Sequence, residues 1–457
     1  MFQIIYNLET LLKRLIFFLN WNKILKNKKI PIWKKSKINS IKKNHKRKKI
    51  LFATSYGSHD VSLKIDSLIA YNLKLNDQDP EFLFCDEFLN ICSQVNYFSF
   101  KKIEALFSKG IKDRCIYCWG CARKSLDNEF FKVHKMKSYL KNEDKKEIEN
   151  IYLNTLYDDI FNFKLDGINL GEHVYSSSLR FFARGDLNDK FSKEIVKKYF
   201  YASLLTFFSF RNFIKKNKFD TIVTNHGLYI PQGVIMDIAK KNDINVVTWF
   251  SSYKNKTFIY SHKDTYHKTF LVENNANWEN INLTKDKEKL LLDYIDQKSK
   301  GRTDWHVFQH KNSLNDYDNF IKKYNIDKNK PLIALFTNVI WDAQLYYDQN
   351  IFKNMIEWLV ETINYSTKKN LQIAIRVHPA EDMGLLPSRQ KVKDELLKYF
   401  DKLPKNIFLI NSNDNLNSYM LIKNSLFSIV YASTIANEIV SLGKNVIAAG
   451  ETLVKNK

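Results

Sequence analysis

The sequence predicts an α/β protein with two Rossmann-like domains behind a basic N-terminal helical arm. Three observations lead to this fold class. From residue 50 onwards, short apolar runs alternate with helix-like segments, which is the order of parallel βαβ units. The alternation occurs in two series, separated by a charged stretch at 283–330. The chain has 457 residues, of which 44% are apolar, so it can form more than one full-sized core.

The arm, residues 1–48, comes first. Apolar residues at helical spacing over 3–20 predict an amphipathic helix, and a lysine-rich stretch follows it at 23–49. Residues 1–50 hold fifteen Lys and Arg and one acid, Glu9, so this segment carries +14 of the net charge of +23. An anionic membrane surface suits this combination. The alternative is a helix that packs on the core, followed by a solvated tail.

The first series predicts a Rossmann-like domain over 49–282. Its expected strands are 49–54, 81–85, 220–224 and 245–250. Its expected helices include 63–73 and 199–215. Since most of the excess charge sits on the arm, we expect no nucleic-acid partner for the body of the protein.

The second series predicts a Rossmann-like domain over 331–457, joined to the first by linker helices at 283–330. Its expected strands are 331–337, 371–377, 406–410, 426–431 and 445–449. The chain stops soon after the last of these strands, where a covering helix is expected, which raises the expectation of a longer natural chain. Tandem domains of this kind predict a cleft between the carboxyl ends of two sheets, where such folds bind ligands.

Two turns of the second domain predict a phosphate site. Arg376, His378 and Pro379 follow an apolar strand, where an arginine and a histidine suit an anionic ligand. After a later strand, Ser433 and Thr434 precede a helix, whose N-terminus favours phosphate. Glu438 lies one turn further and suits the hydroxyls of a ribose. The alternative interpretation of these residues is an ordinary helix N-cap followed by a solvated glutamate.

These motifs resemble the capsule polysaccharide biosynthesis family, whose relatives include bacterial Kdo transferases, polysialyltransferases and CDP-glycerol glycerophosphotransferases. The similarity lies in RVHPAE at 376–381, LFTNVIWDAQLYYDQNIFKNMIEWL at 335–359 and VYASTIANEIVSLGKNVIAAG at 430–450. NLGEHVYSSSLRFFARGD at 169–186 and NHGLYIPQG at 225–233 resemble it more loosely.

The resemblance implies a GT-B-like fold and a glycosyltransferase that needs no metal for its chemistry. His378 and Pro379, with Ser433, Thr434 and Glu438, would hold a nucleotide-sugar donor, for which the resemblance favours CMP. The acceptor would be a polysaccharide or a lipid-linked glycan, bound by the first domain. The resemblance also implies a cytoplasmic protein of the bacterial cell envelope, peripheral on the inner face of the membrane.

An inverting transfer needs a base near the acceptor hydroxyl. The first domain offers His226, Asp60, Asp264 and His267 as candidates, with His59 beside Asp60. Arg180 and Arg184 are spaced four residues apart, as on one helical face, and suit an anionic substrate.

The five cysteines lie close together in the sequence: Cys85, Cys92, Cys115, Cys118 and Cys121. Overlapping C-x-x-C units predict a structural zinc site, and burial as small apolar side chains is the alternative. Their odd number fits a reducing compartment.

Two other functions fit the same sequence. A sugar-nucleotide epimerase on this fold would need acid and base groups but no acceptor groove. A non-catalytic subunit for capsule assembly or export would keep the arm and tolerate the loss of His378.

Overall fold

The computed structural model of the protein describes residues 2–33, 47–126, 129–274, 276–279, 281–304, 316–343, 350–384 and 386–452. The strands are β1 (Lys49–Ser55), β2 (Asp79–Phe84), β3 (Lys132–Lys135), β4 (Lys164–Leu165), β5 (Ile168–Asn169), β6 (Thr221–Asn225), β7 (Asn245–Ser251), β8 (Phe258–His262), β9 (Leu332–Phe336), β10 (Gln372–Arg376), β11 (Ile407–Ile410), β12 (Ser428–Val430) and β13 (Val446–Ala448).

The α-helices are α1 (Phe2–Asn27), α2 (Asp60–Leu75), α3 (Glu104–Lys109), α4 (Lys112–Ser125), α5 (Asn142–Asn154), α6 (Leu170–Phe182), α7 (Ser192–Lys216), α8 (Gln232–Lys241), α9 (Tyr266–Thr269), α10 (Ala276–Glu279), α11 (Lys285–Ser299), α12 (Tyr317–Tyr324), α13 (Met355–Lys368), α14 (Ala380–Met383), α15 (Val392–Leu396), α16 (Ser418–Asn424) and α17 (Ile435–Ser441). Short 3-10 helices cover Tyr97–Ser99, Met136–Tyr139 and Asp158–Asn162.

The chain divides into two compact units. Unit 1 comprises Met1–Phe182, Leu187–Phe250 and Ile259–Tyr266. Unit 2 comprises Ala183–Asp186, Ser251–Phe258 and His267–Lys457.

Unit 1 contains a six-stranded sheet in the order β3-β2-β1-β6-β7-β8. The pairs from β3 to β7 are parallel. Along the chain, β1, β2 and β3 follow one another toward one edge of the sheet, and β6, β7 and β8 follow one another toward the other edge. This is the strand order of a doubly wound Rossmann fold. The strand order reverses between β1 and β6, and at that point such sheets bind ligands beyond the carboxyl ends of the strands.

Unit 2 contains a five-stranded parallel sheet in the order β11-β10-β9-β12-β13, so it has the same winding. The reversal lies between β9 and β12. Both predicted Rossmann-like domains are therefore confirmed, and every strand that the sequence predicts is present.

The structure places the predicted linker helices of 283–330 in unit 2. The described helices of this segment, α11 and α12, are not a free linker, because Ile295, Phe320 and Ile321 are buried in the core of unit 2. Two strands of the six-stranded sheet were not predicted, β3 and β8, and neither was the short hairpin of β4 and β5. Strands β3 and β8 each lie at one edge of the sheet of unit 1 and are short, and the β3 sequence KVHK has no apolar run.

Helix α1 is part of unit 1 rather than a detached arm. Phe17 is buried against Gly120 of α4, where a β-carbon would come within 2.1 Å of the phenyl ring. Arg14 pairs with Glu87 at 2.6 Å and Lys13 with Asp113 at 2.7 Å. The opposite face exposes a stripe of apolar side chains: Leu8, Leu11, Leu12, Leu15, Ile16 and Leu19.

Residues 34–46 of the predicted lysine-rich stretch lie outside the described residues. Among the helices that the structure describes, none has both the length and the apolar character that crossing a bilayer requires.

Candidate functional site

The register of unit 2 brings the predicted phosphate-binding turns to one edge of the sheet. Phe336, at the end of β9, pairs with Arg376 of β10 on one side and with Val430 of β12 on the other. The three strands therefore end level with one another. The turns that follow β10 and β12 are two strand spacings apart, about 10 Å.

Two hydrogen bonds join these turns through the end of β9. The backbone N–H of His378 donates to Thr337 Oγ1 at 2.9 Å, and Asn338 Nδ2 donates to the carbonyl of Ala432 at 2.9 Å. Ala432 has a left-handed φ of 42°, which turns the chain sharply after β12. The site is thus a continuous edge made by three turns at the point where the strand order reverses.

His378 is a neutral hydrogen-bond donor at this edge. Its Nδ1 accepts the backbone N–H of Ala380 at 3.1 Å, so the ring proton of the neutral imidazole lies on Nε2. Burial, together with the positive charge of Arg376, lowers the pKa of His378 to about 4. His378 is therefore uncharged at neutral pH.

Arg376 is not available to a ligand, contrary to the prediction. It is buried, and its two terminal nitrogens donate to the carbonyls of Asn411, Asp414 and Leu416 in the segment after β11. Its Nε is buried without a hydrogen-bond partner. Burial lowers the pKa of Arg376 to about 10. Its role is to hold the neighbouring loop.

The hydroxyl turn has one buried and one exposed member. Ser433 is buried and Thr434 is exposed. The expected capping bond is absent at Thr434, which has helical backbone angles and accepts no backbone N–H through its side chain. Pro379 immediately precedes α14 and fixes the turn that carries His378.

Glu438 is held by protein partners. It is buried, with Oε1 2.8 Å from Lys298 Nζ and Oε2 accepting the hydroxyl of Tyr419. Lys298 also pairs with Asp304 at 3.1 Å. Burial lowers the pKa of Lys298, but Glu438 and Asp304 outweigh it and keep the pKa above its ordinary value. The predicted ribose contact would have to share this carboxylate with a buried ion-pair network.

In unit 1, two of the predicted base candidates lie where the strand order reverses. His226 follows β6 with a left-handed φ of 65°, and its ring contacts Phe250 with the centroids 4.3 Å apart. Asp60 begins α2 in the turn after β1 and pairs with Lys28 at 3.1 Å. His59 caps the same helix through Nδ1, which accepts the N–H of Ser62.

The other two base candidates lie elsewhere. Asp264 is held by Lys240 at 2.8 Å, and Lys240 also contacts Asp237, the partner of the buried His173. His267 belongs to unit 2, and burial lowers its pKa to about 3.

The two arginines that were expected on one helical face are separated. Arg180 lies in α6, which ends at Phe182, whereas Arg184 lies beyond the helix in a segment of unit 2. Arg184 pairs with Asp186 at 2.8 Å.

A cavity of about 480 Å³ opens at the carboxyl ends of β1 and β2 in unit 1. Asp86 and Trp119 are among the residues that line it. Four of the five thiols also line it: Cys85, Cys92, Cys115 and Cys118. In the part of the chain that the structure describes, which includes every cysteine, no three His, Cys, Asp or Glu side chains are grouped so that they could hold a metal ion.

The thiols therefore do not fit the predicted zinc site. Burial raises the pKa of all five, for example that of Cys121 to about 11 and that of Cys92 to about 12. Four of the cysteines line the cavity as small apolar side chains, and Cys121 is buried outside it.

Sequence reasoning missed Thr337, Asn338 and Lys298. The first two follow the first strand of a doubly wound series, whose turn always borders the reversal, so the strand prediction contained the signal. No sequence signal links Lys298 to Glu438, because 139 positions separate them.

Asp86 was also missed. It follows β2 with a left-handed φ of 47°, and burial raises the pKa of its carboxyl to about 7.

No protein-family model matches the chain, and no curated protein matches it. Among solved structures, it is similar to a KpsC β-Kdo 2,4 transferase of Thermosulfurimonas dismutans, with 12% identity and a TM-score of 0.33 over 52% of this chain and 70% of the other. It is similar to a UDP-GlcNAc 2-epimerase of Methanocaldococcus jannaschii, with 13% identity and a TM-score of 0.26 over 88% and 83% of the two chains. It is also similar to the glycosyltransferase SnogD of Streptomyces nogalater, with 9% identity and a TM-score of 0.20 over 90% and 83%.

Proposed function

We propose that the protein is a glycosyltransferase that moves a sugar from a nucleotide donor to a growing surface glycan, with its donor site at the carboxyl edge of the sheet of unit 2. The observation that carries this proposal is the alignment of β9, β10 and β12, which end level at Phe336, Arg376 and Val430. His378 and the Ser433–Thr434 turn therefore border one edge, at the reversal of strand order where doubly wound sheets bind nucleotides.

Neutral donors would bind the phosphate at this edge. His378 supplies Nε2–H, and Thr434 supplies an exposed hydroxyl. When the bond between the anomeric carbon and the donor phosphate breaks, the electron pair goes to the phosphate oxygen, and fixed donors stabilise the charge that develops there. The family resemblance favours a CMP-linked sugar.

The acceptor supplies the hydroxyl oxygen that forms the new glycosidic bond. Its hydroxyl oxygen bonds to the anomeric carbon and loses its proton to a base. We assign this base to His226 of unit 1, since it lies in the turn after β6, beside the reversal of strand order. A polysaccharide or lipid-linked glycan is the proposed acceptor.

An anionic membrane surface is the proposed partner of α1. Its exposed leucine stripe lies opposite the face that packs on α4, so the apolar side chains are free to enter the headgroup region. The lysines of the first 50 residues would add attraction to anionic lipid.

Thermal denaturation with CMP, CDP, UMP and UDP tests the donor site. We expect one nucleotide to raise the melting temperature of the wild type and of His262→Ala, a control at an exposed histidine of β8, but not that of His378→Ala. Stabilisation that survives in His378→Ala would contradict the proposed site, and no response to any nucleotide would favour a non-catalytic subunit. Conversion of a UDP-sugar to its epimer without an acceptor would replace the transferase by the epimerase.

A further inference from the structure

Arg180 of α6 has a guanidinium group that the protein leaves largely unused. Its Nη1 donates to the carbonyl of Ser93 at 2.8 Å, and the guanidinium carbon lies 5.2 Å from the centre of the Tyr229 ring. Within the described residues, no carboxylate lies within ion-pair distance of it. Its Nε and Nη2 make no hydrogen bond within the described residues and are not among the buried polar atoms that lack a partner, so they keep access to solvent.

The surroundings of Arg180 are the turns at the carboxyl edge of unit 1. Its positive charge acts on His59, in the turn after β1, whose pKa is lowered by burial and then by this charge. Tyr229, on which the guanidinium lies, contacts His226 with the ring centroids 5.7 Å apart. Ser93 lies between two residues that line the thiol cavity, Cys92 and Gln94. Arg180 thus stands among the turns after β1 and β6, where the strand order reverses.

We propose that Arg180 binds an oxyanion, a carboxylate or a phosphate, carried by the second substrate of the protein. A half-buried cation without a counter-ion is costly, and an oxyanion would supply the missing charge. The planar guanidinium fork matches both groups, because it donates two parallel N–H bonds. The assignment to the second substrate rests on the proposed transferase, whereas the anion site itself stands without it.

Isothermal titration with inorganic phosphate and, separately, with glucuronate tests the site in the full chain. The measurements use His378→Ala as the background, so that the proposed donor site does not contribute. We expect Arg180→Gln to weaken binding of the preferred probe about tenfold or more, since charge-assisted hydrogen bonds are lost. Arg184→Gln is the matched control, because it removes the same charge from an arginine that Asp186 already neutralises.

The variant Arg180→Lys distinguishes the loss of ligand binding from a loss of local structure. Lysine keeps the charge and can reach the Ser93 carbonyl but lacks the fork, so its affinity should fall between those of the wild type and Arg180→Gln. The preferred probe identifies the ligand as a sugar acid or a sugar phosphate. Equal affinity in Arg180→Gln and Arg184→Gln, or no binding of either probe to the background protein, would overturn the proposal. A nucleotide response that is missing while phosphate or glucuronate still depends on Arg180 would refute the transferase and leave the anion site standing.

Discussion

Arg376 of unit 2 and Arg180 of unit 1 both lie near the carboxyl edge of a doubly wound sheet, and their guanidinium groups have opposite surroundings. Arg376 is buried and gives its terminal nitrogens to three backbone carbonyls of one loop. Arg180 gives one nitrogen to one carbonyl and lies against an aromatic ring. The same residue type therefore holds a loop in one unit and leaves donors free for a ligand in the other.

Under the two proposals, the edges of two sheets with one winding would recognise anions differently. In unit 2 the donors of the proposed site are neutral, namely His378 and the hydroxyl turn, because the guanidinium of Arg376 is bonded to backbone carbonyls. In unit 1 the cation remains available. A free positive charge attracts any oxyanion, whereas neutral donors need the right geometry.

The largest expected effect is on stability. Arg376→Gln leaves buried carbonyls without their donors, so it should lower the free energy of unfolding by about 3–5 kcal/mol. Arg180→Gln loses one hydrogen bond and one cation–π contact at a half-buried site, so its cost should be about 1 kcal/mol. Urea denaturation of both variants measures the difference. Equal losses would mean that the two arginines do not differ as described.

The next effect is a pH dependence of the free energy of unfolding, of a few kcal/mol, which we expect from a buried carboxylate of unit 1 but not from its counterpart in unit 2. Glu438 of unit 2 has Lys298 as counter-ion, whereas Asp66 of unit 1 accepts hydrogen bonds from Thr54 and Trp249, both at 2.7 Å, and has no cation at ion-pair distance within the described residues. Burial raises the pKa of Asp66 to about 7 from 3.8. The unfolded chain therefore releases this proton first, and the stability that Asp66 contributes at low pH is lost as the pH rises from about 4 to 7.

Asp66→Asn removes this titration. We expect the variant to gain stability relative to the wild type as the pH rises from 4 to 8, by a few kcal/mol. Urea denaturation at several pH values measures the gain. A stability difference that does not depend on pH would show that Asp66 is ionised in the folded protein throughout.

A smaller effect is expected at the surface of α1. Leu15→Ser with Leu19→Ser should reduce binding to anionic liposomes about tenfold, since two apolar side chains no longer enter the lipid. The matched control is Leu290→Ser in unit 2, a leucine that is 69% exposed. Liposome sedimentation at low salt measures the binding. If the wild type does not sediment, or if the control loses as much, α1 is not the membrane surface.

The smallest effect concerns the protonation of His378. Because its pKa is lowered to about 4, the imidazole stays neutral from pH 6 to 8. The ratio of nucleotide affinities of the wild type and His378→Ala should therefore change less than about twofold over this range. Dividing the two affinities cancels the titration of the nucleotide. A ratio that grows as the pH falls through 6.5 would mean that the charged form binds.

The sheets could be predicted from the sequence because their strands are buried and apolar, so that runs such as those of β9 and β10 stand out. The order of the turns at the edge of unit 2 follows from that alternation. Edge strands such as β3 gave no signal, because solvent on one side removes the need for apolar residues.

The state of individual side chains could not be predicted. Arg376 is bonded to backbone carbonyls of the loop after β11. Every residue has a backbone carbonyl, so the sequence does not show which of them an arginine will bind. The spacing of the cysteines predicted a metal site, but the helical path of α4 turns Cys115 and Cys118 into a cavity wall. The positions of polar and ionisable residues in the sequence therefore indicate where a site lies, but not which of these residues bind the ligand.

A crystal structure of the protein with the nucleotide that stabilises it best tests the central claim most directly. We predict a phosphate oxygen about 3 Å from Nε2 of His378, with the hydroxyl turn at Ser433 and Thr434 beside it. A nucleotide bound elsewhere, with the ends of β9, β10 and β12 untouched, would contradict the account.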